Sequence, residues 1–230
     1  MQATAQQPDT PVRYARKPRA TRARLVALSA GTAAAVLTGL VLSAPPAHAA
    51  PPTPPSAAEA RTMLAGLTVA AEDPMTGYDR KLFPHWINQG DNCNTREVVL
   101  KRDGTNVVTD DQCRAVSGSW FSQFDGVTLH SASEVDIDHL VPLAEAWRSG
   151  AQTWSAAKRQ SFANNLSAAQ LIAVSAGSNR AKGDKDPADW LPRAAYQCVY
   201  ARSWVWVKRN YAMKVDSAEK SALTSILNRC

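Results

Sequence analysis

One stretch of the chain, Val135 to Pro187, constrains the fold more than any other. It opens with VDIDHLVP and closes with SAGSNRAKGDKDP. Successive strand side chains point to opposite faces. The neighbours Asp138 and His139 therefore serve one site only where a strand bends or ends, and Pro142 arrives to end it. A carboxylate there suits a hard cation such as Mg²⁺, which prefers oxygen ligands. A neutral imidazole beside it suits the activation of water. Downstream, Asn179 offers a side-chain carbonyl to the same ion, and Arg180, Lys182 and Lys185 follow closely. Cations in that position neutralise phosphate oxygens as charge builds during a displacement. Asp136 shares a strand face with Asp138, which makes it either a supporting acid behind the site or a solvated turn acid.

The surrounding pattern predicts an α+β domain. LIAVS reads as a short buried strand, and helices are expected over Pro142–Gly150, from the Ser155 cap to Asn164, in the later part of Asp189–Lys214, and over Ser217–Leu227. Nearer the N-terminus, Ser56 caps a helix, SAAEARTMLAGL, with Ala60, Met63, Leu64 and Leu67 on one face. TREVVLKRDGTNVV has two apolar runs around an Arg-Asp-Gly turn and reads as a β-hairpin. GSWFSQFDG reads as a further strand and turn, whose aromatics are expected to pack in a core.

The first 49 residues have a different character. Six Lys and Arg between Arg13 and Arg24 face a single acid, Asp9; an apolar run from Leu25 to Leu42 follows, then APPAHAA. This order is that of a secretory signal cleaved after Ala49, which leaves no stable membrane association. Residues 50–56, APPTPPS, form a proline-rich linker, and residues 57–230 form one domain. Most of the net charge of +6 belongs to the signal, because the remainder carries 20 basic and 19 acidic side chains. Those charges are unevenly spread. Asp91 to Glu145 holds four basic and ten acidic residues, whereas Arg148 to Lys214 holds eleven basic and three acidic. One segment is suited to a cation and the other to a polyanion.

Cys93, Cys113, Cys198 and Cys230 all follow the signal. Four cysteines in an exported chain imply two disulfides, with three pairings open to the sequence. The pairing expected here is Cys93 with Cys113 and Cys198 with Cys230, since each bond then encloses one contiguous segment.

DIDHLVPL, then NNL, then LIAVSAGSNRAKGDKDP together resemble the HNH endonuclease motif. The form is that of small secreted actinobacterial nucleases related to the GmrSD-type restriction domain. The resemblance extends over DNCNTR, CRAVSGSW and the C-terminal cysteines. It implies a ββα-metal (His-Me finger) core, with additional helices and a small antiparallel sheet. It makes His139 the general base and Asp138 and Asn179 the metal ligands. Asn165 would be the middle asparagine that holds the site loop and orients the histidine, and Lys182 a catalytic phosphate contact. Arg96, Arg180 and Lys185 are further candidates for substrate contact. Because Asn179 stands where the family name has its last histidine, one oxygen-bound Mg²⁺ is implied rather than zinc, with Mn²⁺ or Ca²⁺ as alternatives.

The implied activity is that of a secreted, monomeric endonuclease with little sequence specificity, acting on DNA, with RNA left open, and giving 5′-phosphate and 3′-hydroxyl ends. The competing reading is a non-catalytic extracellular protein that binds nucleic acid or cell wall on a nuclease-like scaffold. His85 and His130 are assigned no catalytic role.

Overall fold

A computed structural model describes residues 51–230. The expected secretory signal and its expected cleavage point lie outside the described residues. In chain order the elements are α1 (Ala57–Ala65), β1 (Asn88–Gly90), β2 (Cys93–Asn94), α2 (Thr95–Asp103), β3 (Gly104–Thr109), β4 (Ala115–Phe121) and β5 (Thr128–Leu129). These are followed by β6 (Val135–His139), α3 (Leu143–Arg148), α4 (Ala156–Ala163), β7 (Leu171–Ser175), α5 (Ala176–Lys182), α6 (Gln197–Tyr211) and α7 (Ser217–Leu227). The fold is mixed α+β, with three small antiparallel sheets: β1-β2, β3-β4-β5 and β6-β7.

The helices begin where the sequence offers caps. The Ser56 hydroxyl accepts from the Glu59 amide while the Glu59 carboxylate accepts from the Ser56 amide, so two otherwise unpaired donors are satisfied at the start of α1. Ser155 caps α4 by accepting from the Lys158 amide, and Asp216 caps α7 by accepting from the Ala218 and Glu219 amides, in each case without a reciprocal bond back to the cap. The prolines before α1 are docked, since Arg202 of α6 donates to the carbonyls of Pro54 and Pro55.

The β-hairpin expected over TREVVLKRDGTNVV is not formed. Residues Thr95–Asp103 are the helix α2, started by a second capping box between Asn94 and Glu97. That box outweighs the strand propensity of Val98 and Val99 and turns Val99 and Leu100 inward. Gly104 then lets the chain leave the helix directly beneath Trp120, where a β-carbon would lie 2.5 Å from the indole nitrogen. The hairpin falls one element later, between β3 and β4. Cys113 closes its turn at φ 63° and is bonded to Cys93. The second disulfide joins Cys198 of α6 to Cys230, so both bonds follow the expected pairing.

Two apolar cores flank the β6-β7 pair. The larger gathers α1, α3, α4, α6 and α7 around Phe83, Phe162, Tyr200 and Trp204. The smaller consists of Val99, Leu100, Trp120, Val135, Ile137, Leu171 and Ala173. Alternation divides the strands between them, with Leu171 and Ala173 facing the smaller core and Ile172 and Val174 the larger. With both faces covered, the two strands still have open edges. Arg102 and Asp103 seal one: Arg102 donates to the Leu171 carbonyl, and the Asp103 carboxylate accepts from the Ala173 amide. The Arg-Asp-Gly sequence thus caps a strand edge instead of turning a hairpin.

Candidate functional site

Strand β6 ends at His139, and Pro142 sits at the N-cap of α3. The residue pair runs antiparallel to β7, with Asp138 opposite Ile172 and His139 opposite Leu171. Helix α5 continues directly from β7, so Asn179 returns to the strand that carries Asp138. Asp138, His139 and Asn179 line one small cleft together with Arg80 and Gly183.

His139 is 5 % exposed, and its Nε2 lies 2.9 Å from the Ala163 carbonyl oxygen. A carbonyl only accepts, so Nε2 carries the proton and Nδ1 keeps a lone pair for the cleft. Burial pushes the imidazole pKa down to about 3, against the opposing pull of the Ala163 bond, and the ring is neutral at ordinary pH. Trp86 stacks on it, with ring centres 5.4 Å apart. Trp86 holds φ at 59°, an unfavourable region for a bulky residue. Asn164 clamps the chain on both sides of that kink. Its Nδ2 donates to the Pro84 carbonyl, and its Oδ1 accepts from the Ile87 amide and the Thr95 hydroxyl.

Asp138 is 4 % exposed and has two unlike oxygens. Oδ1 accepts from Lys182 Nζ at 2.9 Å, whereas Oδ2 is buried with no hydrogen-bond partner. Burial raises this carboxyl pKa to about 6, offset in part by Lys182. A buried carboxylate oxygen without a donor is costly. A hard cation reaching Oδ2 removes that deficit, so the donor set fits the expected ion. Asn179 supplies the second oxygen. Its Nδ2 donates to Asp136 at 3.0 Å, and since a carboxylate only accepts, the amide orientation is fixed and Oδ1 is left for the cleft. Asp136 therefore stands behind Asn179.

Other residues singled out from the sequence lie elsewhere. Lys182 is fully buried, and its ammonium donates to Asp138 and, at 3.0 Å, to the His139 carbonyl. It anchors α5 to the end of β6 and has no surface to offer a phosphate; burial lowers its pKa despite the carboxylate. Arg96 donates to the carbonyls of Ala132 and Val135, outside the cleft. Asn165 bonds the Tyr211 hydroxyl and the amides of Ser167 and Ala168, with no bond to His139. Arg180 and Lys185 are exposed around the end of α5.

The loop after His139 is held instead by Gln170. This fully buried amide accepts from the Val141 N–H and donates to the Val141 carbonyl, while its own backbone carbonyl accepts from Leu140. Gln170 directly precedes the LIAVS strand, and that position was the one available signal. Asn164 stood in the NNL step, one residue before the Asn165 expected to act there, and Arg80 carried no motif.

Residues 95–226 match the family described as GmrSD restriction endonucleases, C-terminal domain. A protein of the fungus Arthroderma benhamiae, described as an uncharacterized secreted protein, is 55% identical over 198 residues, which is 85% of this chain and 97% of the relative. No solved structure matches the chain.

Proposed function

We propose, for a chain that belongs to the family of GmrSD restriction endonuclease C-terminal domains, that it is an extracellular metal-dependent endonuclease built on a ββα-metal core of β6, β7 and α5. The observation that carries this reading is the convergence on one cleft of an unpartnered Asp138 oxygen, an Asn179 amide whose nitrogen is already engaged, and a neutral His139. The secreted description of the fungal relative and the two disulfides support the extracellular address.

Asp138 and Asn179 hold one divalent ion, Mg²⁺ by the hardness of their oxygens. When bound, the ion supplies positive charge to the scissile phosphate and the departing 3′ oxygen. His139 Nδ1 accepts a proton from water while the water oxygen bonds to phosphorus. The bond from phosphorus to the 3′ oxygen breaks, and that oxygen leaves and takes up a proton. The products carry 5′-phosphate and 3′-hydroxyl ends. The Ala163 carbonyl stabilises the imidazolium formed on the way, because it accepts from Nε2–H. Trp86 covers one ring face, which confines the ring to this orientation. The substrate is nucleic acid, DNA with RNA left open to the test below, held by phosphate contacts, and binding weakens with salt.

The test is cleavage of plasmid DNA and of RNA by the secreted protein with Mg²⁺ and with EDTA, followed by end-group analysis. Metal-dependent nicking that His139→Ala abolishes supports the proposal. A metal-loaded protein that leaves both polymers intact refutes it.

A further inference from the structure

We infer that Arg80, from the segment ahead of residues 95–226, is the residue that grips the scissile phosphate. This rests on the endonuclease reading and adds a residue to it. Arg80 is the one cationic side chain lining the cleft of Asp138, His139 and Asn179 among the described residues. Lys182 cannot do this work, because its ammonium is buried beneath the cleft and committed to Asp138 and His139.

The guanidinium of Arg80 has no hydrogen-bond or ion-pair partner among the described residues. Arg96, Arg148, Arg159 and Arg202, by contrast, are engaged with backbone carbonyls, and Arg148 also with carboxylates, while Arg180, which is exposed on α5, does not line the cleft. An exposed, uncommitted guanidinium at the mouth of an anion-consuming cleft presents planar paired donors suited to two phosphate oxygens.

Its mount is rigid. Asp79 caps the short helix Arg80–Leu82 by accepting from the Lys81 amide at 2.8 Å, and Arg159 donates to the Leu82 carbonyl at 3.0 Å. Phe83, the next residue, is fully buried against Trp147 and Phe162. The cation is thus held at the cleft by the larger core, and phosphate binding requires no ordering of the backbone. The Asp138 carboxylate and the Asn179 amide oxygen would hold the ion, which leaves Arg80 to meet the substrate's negative charge.

The experiment compares the secreted wild type with Arg80→Ala and Arg80→Lys on plasmid DNA with saturating Mg²⁺, and records melting curves for all three. Arg80→Ala is expected to lower kcat/KM by about 100-fold or more, the usual consequence of deleting one preorganised charge donor. Arg80→Lys should recover part of that loss, and melting should not change, since the side chain is exposed and unpartnered. If Arg80→Ala melts early, Arg80→Gln, which keeps the aliphatic stem, is judged by the same rate criterion. An active wild type with Arg80→Ala within about threefold of it overturns the assignment and leaves the endonuclease reading intact. An inert wild type overturns both.

Discussion

Replacing Lys182 by Met separates two roles that the same residue type allows. In the structure the Lys182 ammonium is fully buried and donates to Asp138 Oδ1 at 2.9 Å and to the His139 carbonyl at 3.0 Å. Methionine has nearly the same length but no donor, so the substitution leaves a buried carboxylate with both oxygens unpartnered. Removing one member of a buried ion pair costs about 3 to 5 kcal/mol. For a domain of this size, each kcal/mol shifts the melting temperature by about 2 to 4 °C, so a fall of roughly 6 to 20 °C is expected. The assay is thermal unfolding in EDTA, which removes any support that an ion gives Asp138. The double variant Lys182→Met/Asp138→Asn should lose less than the two single effects combined, because the uncompensated charge is gone. Unchanged melting of Lys182→Met together with a raised KM would refute the reasoning and return Lys182 to the substrate-facing role its sequence neighbours suggest.

Gln170→Ala should unfold at lower temperature, because it orphans the Val141 N–H and C=O, at about 1 to 3 kcal/mol for each buried group; chemical denaturation measures it. Asp136→Ala should leave stability nearly unchanged but weaken Mn²⁺ or Mg²⁺ binding by about 10-fold or more, since Asn179 loses the acceptor that aims its oxygen; calorimetric titration of the ion checks this. The buried Lys208 is shared by Glu145 and Glu219, and burial raises the Glu219 pKa from 4.5 to about 7. Between those two values the folded state holds more protons than the unfolded one. Glu219 therefore stabilises most below pH about 4.5, and its contribution falls as pH rises toward 7, by on the order of 3 kcal/mol. The melting temperature of wild type relative to Glu219→Gln should decline across that window, and a difference independent of pH would contradict the assignment.

How much was legible in the sequence depended on whether the signal was local. LIAVS is a strand over the residues expected, and Ser56 and Ser155 cap the helices expected of them, because a cap or a short apolar run acts within a few residues. The hairpin reading of TREVVLKRDGTNVV failed at the same scale. Two local signals competed there, and the Asn94–Glu97 capping box prevailed once Val99 and Leu100 had a core to enter. Asn165 and Lys182 mark a second limit. Which of Asn164, Asn165 and Gln170 reaches the site loop turns on where each side chain points after α4, and α5, at seven residues, is too short for periodicity to tell an inward lysine from an outward one.

By itself the sequence determined the ingredients: Asp138 and His139 at a strand end, Asn179 beyond a second strand, four cysteines, and an acidic and a basic segment to be joined. Backbone preferences and adjacency along the chain are enough for that. Only the tertiary structure decided which groups are free to act. It committed Lys182 to Asp138, aimed Asn179 through Asp136, pinned His139 between Ala163 and Trp86, and brought Arg80 to the cleft from outside the motif. The physical reason is that partnership and burial set the charge and reach of a side chain, and both come from segments far apart in the chain.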